Sequence, residues 1–231
     1  MVAAVAVLVC DGAAQDDSGY VLEAPECSAP FAFGTAATTA PFVVSSGARQ
    51  APVHRTVAKV CHLTGDGYAG LFFEYTAQDS YIYNPFTECD DHLYEYDAVE
   101  VFIAPGLGYP AQAPQHYVEI EVSPKGVLFE SHITNPDDDC AGMTGDLMAC
   151  NATAIEARAR VTPDGWTAAV YVPYVTVAPG AHPPPSAWHL NMFRIDVVSP
   201  SAGEQFLAWS PTYKSPPCFH VPSAFGKVVL V

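Results

Sequence analysis

From Ala98 to Ile103 the chain reads Ala-Val-Glu-Val-Phe-Ile, and with a repeat of two this puts Val99, Val101 and Ile103 on one face and Glu100 and Phe102 on the other. A helix would spread these side chains around its circumference, whereas a strand sorts them. The alternation recurs at His116–Ser123, with Val118, Ile120 and Val122 inward and Tyr117, Glu119 and Glu121 outward. Thr56–Leu63, Gly70–Gln78, Val127–Thr134, Ala154–Thr162, Trp166–Pro173, Trp188–Val198, Gln205–Trp209 and Gly226–Val231 read as further strands. Between them stand turn residues, such as Gly65-Asp66-Gly67, Lys125-Gly126 and Pro163-Asp164-Gly165. With 21 prolines and few lysines, the helix-forming stretches of an α protein are missing. The pattern predicts an all-β fold, an antiparallel β-sandwich that is jelly-roll-like.

Half of the 231 residues are hydrophobic, enough for one substantial core. Residues 53–231 carry the strands, and residues 15–52 form a Pro/Ala-rich lead-in with room for one edge strand. The 25 acidic residues outweigh 9 basic ones, for a formal charge of −16. Such a chain repels phosphate backbones and anionic lipids, which excludes nucleic acid as a partner. Neutral polyols and divalent cations suit it, as does solubility alone. Residues 1–14 combine the apolar run Val2–Val9 with small residues at Gly12-Ala13-Ala14, a signal-peptide pattern without the usual leading Lys or Arg; a buried N-terminal strand is the competing reading. Removing Cys10 with this leader leaves Cys27, Cys61, Cys89, Cys140, Cys150 and Cys218, an even set that fits three disulfides in a secreted, extracellular protein. Cys140 and Cys150, with Gly142 and Gly145 between them, are the expected pair. Asn151-Ala152-Thr153 is an N-glycosylation acceptor directly after it. Beyond the leader no apolar run is long enough to span a bilayer, so no membrane insertion is expected.

The usual catalytic signatures are missing: there is no His-Glu-x-x-His, Gly-x-Ser-x-Gly, phosphate-binding glycine loop or Cys-x-x-Cys. Glu119 and Glu121 are two apart on one strand, a poor arrangement for two glycosidase carboxyls that must face each other across a cleft. Asp90-Asp91 and Asp137-Asp138-Asp139 offer the oxygen ligands of calcium without an EF-hand spacing, so a structural calcium clamp or a solvated loop would account for each. Tyr94, Tyr96 and Asp97 lead into the strand that carries Glu100. Aromatic rings beside carboxylates on a rigid sheet can hold a sugar, the rings stacking on C–H groups and the carboxylates accepting hydroxyl protons. An ordinary half-exposed strand with a solvated glutamate explains the same stretch taken alone.

Several segments in order resemble family-9 carbohydrate-binding modules. They are Asn84-Pro85, Leu93-Tyr94, Asp97-Ala98-Val99-Glu100-Val101-Phe102, Tyr117-Val118-Glu119-Ile120-Glu121-Val122, Trp188 to Arg194, Trp209-Ser210 and Phe225-Gly226. The resemblance spans roughly residues 57–231. It implies a β-sandwich that grips a saccharide between two aromatic rings. By position Tyr94 and Phe219 match those rings, Glu100 a sugar-contacting carboxylate and Asp97 an acidic residue of the same motif. Two departures stand out: Tyr and Phe replace tryptophans, and Glu121 occupies a strand position where the family's site has an arginine. The aromatic match also suggests a Cys89–Cys218 disulfide pinning the two site loops.

The expected function is that of a secreted, non-catalytic domain binding an oligo- or polysaccharide, free-standing or as an accessory part of a larger extracellular enzyme. One rival is a structural or adhesive sandwich that has lost the sugar site. Another is a haem-binding extracellular sandwich with a Met and a His as axial ligands, for which Met143, Met148 and Met192 are the available methionines. No cofactor is certain.

Overall fold

A computed structural model describes residues 19–65, 67–106, 113–182 and 184–231. The expected leader at residues 1–14, Cys10 and Asp66 of the predicted turn lie outside the described residues. Among the described residues fourteen strands form two sheets: β1 (Val21–Ala24), β2 (Ala37–Thr38), β3 (Val43–Val44), β4 (Thr56–Leu63), β5 (Gly70–Gln78), β6 (Ala98–Pro105), β7 (His116–Val122), β8 (Leu128–Thr134), β9 (Thr144–Leu147), β10 (Glu156–Thr162), β11 (Gly165–Pro173), β12 (Ala187–Ser199), β13 (Gly203–Ala208) and β14 (Gly226–Leu230). The larger sheet runs β1-β14-β12-β6-β7-β8-β9, with β13 and β3 on the β12 side; the smaller runs β10-β11-β5-β4-β2. These strands all pair antiparallel except β1 on β14, and an isolated parallel bridge joins Glu26 to His62. The protein is a β-sandwich.

The inward residues behave as the alternation predicts. Val99, Val101, Ile103, Val118, Ile120 and Val122 of the large sheet pack with Val60, Phe73, Tyr75, Trp166 and Val170 of the small one. Fully burying a side chain of this size contributes about 1.5–3 kcal/mol, so this interleaved layer holds the two sheets together. Tyr75 is tied across the layer, its hydroxyl donating to the Glu100 carbonyl at 2.8 Å. At one end of the sandwich the buried Arg194 guanidinium donates to Asp79 and to Asp196, each at 2.8 Å, and His54 sits 3.0 Å from Asp196. These buried carboxylates therefore have their counter-charge built in.

The lead-in is part of the sandwich. β1 and β2 extend the two sheets and β3 pairs with β13, Phe42 is buried in the central core, and Cys27 is bonded to Cys61 of β4. The other disulfides are Cys89–Cys150 and Cys140–Cys218. Both expected pairings, Cys140–Cys150 and Cys89–Cys218, are thus corrected. Cys140 and Cys150 flank β9, which runs as an edge strand along β8, so each faces a different neighbouring loop.

Long β12 changes partner on one edge. Ala187–Leu190 pairs with β14, and Phe193–Ser199 with β13. Asn191 bridges the change, its side chain exchanging hydrogen bonds with the Ser210 backbone at 2.7 and 3.0 Å. The chain from Ser210 to Val221 leaves the edge here and covers the outer face of the large sheet, where Phe219 stacks on Phe193 and His220 on Phe102. The outward residues Tyr117, Glu119 and Glu121 are consequently buried rather than solvated. A second apolar layer, including Phe102, Tyr117, Phe193, Ile195, Phe219 and Phe225, lies on that face.

Candidate functional site

Register places the carboxylates. Glu100 on β6 is directly opposite Glu121 on β7, and Glu119 is opposite Phe102, so period two puts all three on the outer face. One carboxylate oxygen of each lies within 4.8 Å of those of the other two. Glu100 is 2% exposed, Glu119 6% and Glu121 0%. Burial raises the pKa of all three: Glu119 is pushed up to about 8, and Glu100 and Glu121 well above the carboxylate range, Glu121 further so by Glu100 and Glu119. One Glu100 oxygen is buried without a hydrogen-bond partner, and Glu121 has only the Tyr94 backbone and Glu119 as polar neighbours.

Above this floor opens a cavity of about 580 Å³ whose lining includes Tyr94, Glu100, Glu119, Phe129, Phe219 and His220. A 3-10 turn at Leu93–Glu95, anchored by buried Leu93, carries Tyr94 to the rim. The Tyr94 ring is 42% exposed, stacked on His92 at 5.2 Å and edge-on to Phe129 at 5.7 Å. Opposite in chain order, Phe219 comes from the crossing segment, but it is only 8% exposed and stacks on Phe193 at 4.2 Å. Cys140–Cys218 fastens the two loops that supply Met143 and Phe219 to the wall. At Gly145, also in the wall, a side chain would press against Ser131 Oγ at 2.9 Å, so a small residue keeps β9 close to β8.

His220 is held by a chain of hydrogen bonds. Asn135 donates to the His220 carbonyl at 2.9 Å and to the Tyr117 hydroxyl at 3.3 Å, and that hydroxyl is 2.8 Å from His220 Nδ1. With Nδ1 engaged by the tyrosine, Nε2 faces Glu119 at 3.7 Å. Burial lowers the imidazole to about 4, so it is neutral at physiological pH.

Four of the five expected site residues are therefore brought together: Tyr94, Phe219 and Glu100 line the cavity, and Glu121 adjoins its floor. Asp97 is elsewhere. It is buried and accepts backbone N–H bonds from Tyr83 at 2.7 Å and Val197 at 3.0 Å, bonds that fix how the Leu93 turn enters β6. Sequence reasoning missed His220 and Glu119 as site residues, although each adjoins a residue it named or stands two along from one. The acidic loops are occupied locally: Asp91 accepts from the Thr87 and Glu88 amides, Asp138 from Ser223, and Asp139 from Lys214. Met192 fills the core between the sheets. A second depression of about 600 Å³, near Tyr68, Tyr171 and Tyr174, offers only one carboxylate among the described residues, Glu156, which already accepts from the Tyr68 hydroxyl at 3.2 Å.

No family profile matches the chain. An "Extracellular protein" of Arthroderma benhamiae is 26% identical over 190 residues, covering 79% of this chain and 81% of that protein. A candidate carbohydrate-binding protein from Bacteroides uniformis superposes with TM-score 0.71 at 13% identity, covering 92% of this chain and 99% of the other. A family-9 carbohydrate-binding module from Caldicellulosiruptor kristjanssonii, solved with cellotriose, superposes with TM-score 0.59 at 11% identity over 91% of this chain and 93% of that one. The same organism's family-9 module with glucose gives TM-score 0.58 at 10% identity, covering 91% and 95%. The chain has the family-9 carbohydrate-binding-module fold.

Proposed function

We propose that this protein is a secreted, non-catalytic domain that binds an oligo- or polysaccharide in the cavity above Glu100 and Glu119. The observation that carries the reading is the convergence of an exposed ring, Tyr94, with buried carboxyls and the positioned Nε2 of His220 in one concavity. Tyr94 offers a flat face for sugar C–H groups; the carboxyls and imidazole offer fixed partners for hydroxyls. Phe219 supports the opposite wall through its stack on Phe193. A non-catalytic role is favoured because the glutamates stand side by side on adjacent strands of one face, not across a cleft from each other. The superposed family-9 modules, whose structures hold cellotriose and glucose, support a saccharide as the ligand class. Secretion is supported by three disulfides and by the relative named as extracellular.

The burial of Phe219 favours a second reading, a structural sandwich in which the ring only packs. Affinity electrophoresis through gels holding soluble polysaccharides separates the two. Retardation of wild type that is lost in Tyr94→Ala supports binding; mobility unaffected by every polysaccharide supports the structural role.

A further inference from the structure

Most buried carboxylates of this protein carry a partner. Asp97 has two backbone amides, Asp79 and Asp196 share Arg194, and Glu130 accepts from the Thr153 hydroxyl at 3.0 Å. Glu100, Glu119 and Glu121 differ. Among the described residues no Lys or Arg pairs with them, and His220 touches only Glu119. A buried carboxylate oxygen left without a partner keeps its full desolvation penalty, a cost that falls on this one face. A ligand that supplies positive charge at this point would remove it.

The geometry points to a binding site for one hard divalent cation of the calcium class, held by Glu100, Glu119 and Glu121 at the floor of the cavity. Calcium–oxygen distances of about 2.3–2.6 Å allow ligands across one ion to stand about 4.6–5.2 Å apart. One carboxylate oxygen from each of the three lies within 4.8 Å of the other two, which meets that limit without moving the strands. The unpartnered Glu100 oxygen is buried in this cluster with no solvent alternative, and Glu121 beside it is wholly buried with only the Tyr94 backbone and Glu119 as polar neighbours. Three carboxylates leave a calcium shell of about six to eight oxygens incomplete. Glu100 and Glu119 line the open cavity, so the remaining positions face its contents. A pair of neighbouring saccharide hydroxyls would complete the shell there. That last step rests on the saccharide reading; the cation site itself does not.

The test uses the disulfide-intact protein stripped of metal with a chelator. Calcium alone is titrated calorimetrically into wild type and into Glu121→Gln, Glu100→Gln and, as a control on the exposed β10–β11 turn, Asp164→Asn. Expected is one calcium per chain for wild type and control, with at least tenfold weaker binding in both Gln variants. At one hundred times Kd, calcium should raise the melting temperature by about 5–10 °C in wild type and by less than 2 °C in Glu121→Gln. In chelator alone Glu121→Gln should melt at or above wild type, which shows that the variant folds. Absence of calcium binding by wild type at millimolar concentration, or binding equal in all variants, overturns the site. Calcium binding by a protein that retains no glycan on an array would leave the cation site standing and remove the saccharide ligand.

Discussion

Cys140–Cys218 closes a loop of 78 residues and joins the walls that carry Met143 and Phe219. In the chain-entropy account a loop of this size stabilises the native state by about 4.5 kcal/mol. For a chain of this length each kcal/mol moves the melting temperature by about 2–4 °C, so Cys140→Ser with Cys218→Ser should lower it by about 9–18 °C. Opening the 34-residue Cys27–Cys61 loop should cost about 3.8 kcal/mol by the same relation. The two double variants differ more sharply in binding. Cys27 and Cys61 pack with Phe33, Phe72 and Tyr171 on the small sheet, away from the cavity. Saccharide affinity should therefore fall in the Cys140/Cys218 variant and hold in the Cys27/Cys61 variant at temperatures where both are folded. Melting by circular dichroism, paired with non-reducing peptide mapping of wild type, is the assay. A mapped peptide joining Cys140 to Cys150, or a Cys140/Cys218 variant melting within 2 °C of wild type, would refute the reasoning.

Arg194→Met should destabilise by about 3–5 kcal/mol, because Asp79 and Asp196 lose their buried counter-charge; urea unfolding at neutral pH measures it, and a loss below 1 kcal/mol contradicts the prediction. In chelator, stability should fall as pH rises from about 4.5 to 8. The unfolded chain gives up its carboxyl protons near 4.3, whereas folded Glu130 and Glu119 hold theirs to about 7 and about 8, so the native advantage is full below the lower value and lost above the upper one. Thermal melts at pH 5, 6.5 and 8 read this directly, and a melting temperature that climbs across the series contradicts it. Asn151 is exposed at a turn, and protein secreted from a eukaryotic host should lose the mass of one N-glycan on enzymatic deglycosylation; an unchanged mass would show the acceptor unused.

The inner face of the large sheet was legible because Val99, Val101 and Ile103 carry a period that only a strand satisfies, and the sandwich follows from many such segments. The state of Glu119 and Glu121 was not. Whether an outward residue meets water depends on what lies over it, and here the cover is the aperiodic segment from Ser210 to Val221 and the loops around β9. Those loops are placed by disulfides, and six cysteines admit fifteen pairings that sequence cannot rank. β9, Thr-Gly-Asp-Leu, has no strand character of its own and exists through its pairing with β8. Likewise Phe42 opens the short apolar island Phe42-Val43-Val44 of the lead-in, and only the short strands on either side dock it into the core. Tyr94 and Phe219 are far apart in the chain, and only the resemblance to family-9 modules linked them. What the sequence could not convey is their inequality, one ring open at the rim and the other stacked in the wall.

That inequality is what the most direct test exploits. Removing an anchoring aromatic that a ligand stacks on typically costs about 2 kcal/mol, about thirtyfold in Kd, while truncating a ring that is 42% exposed costs the fold little. A glycan array identifies the oligosaccharide, and calorimetric titration of it into wild type and Tyr94→Ala gives the measurement. The account predicts saturable binding to wild type, a loss of about thirtyfold or more in the variant, and melting temperatures within about 3 °C of each other. Wild-type protein that binds nothing on the array, or a variant that binds as tightly as wild type, would contradict it.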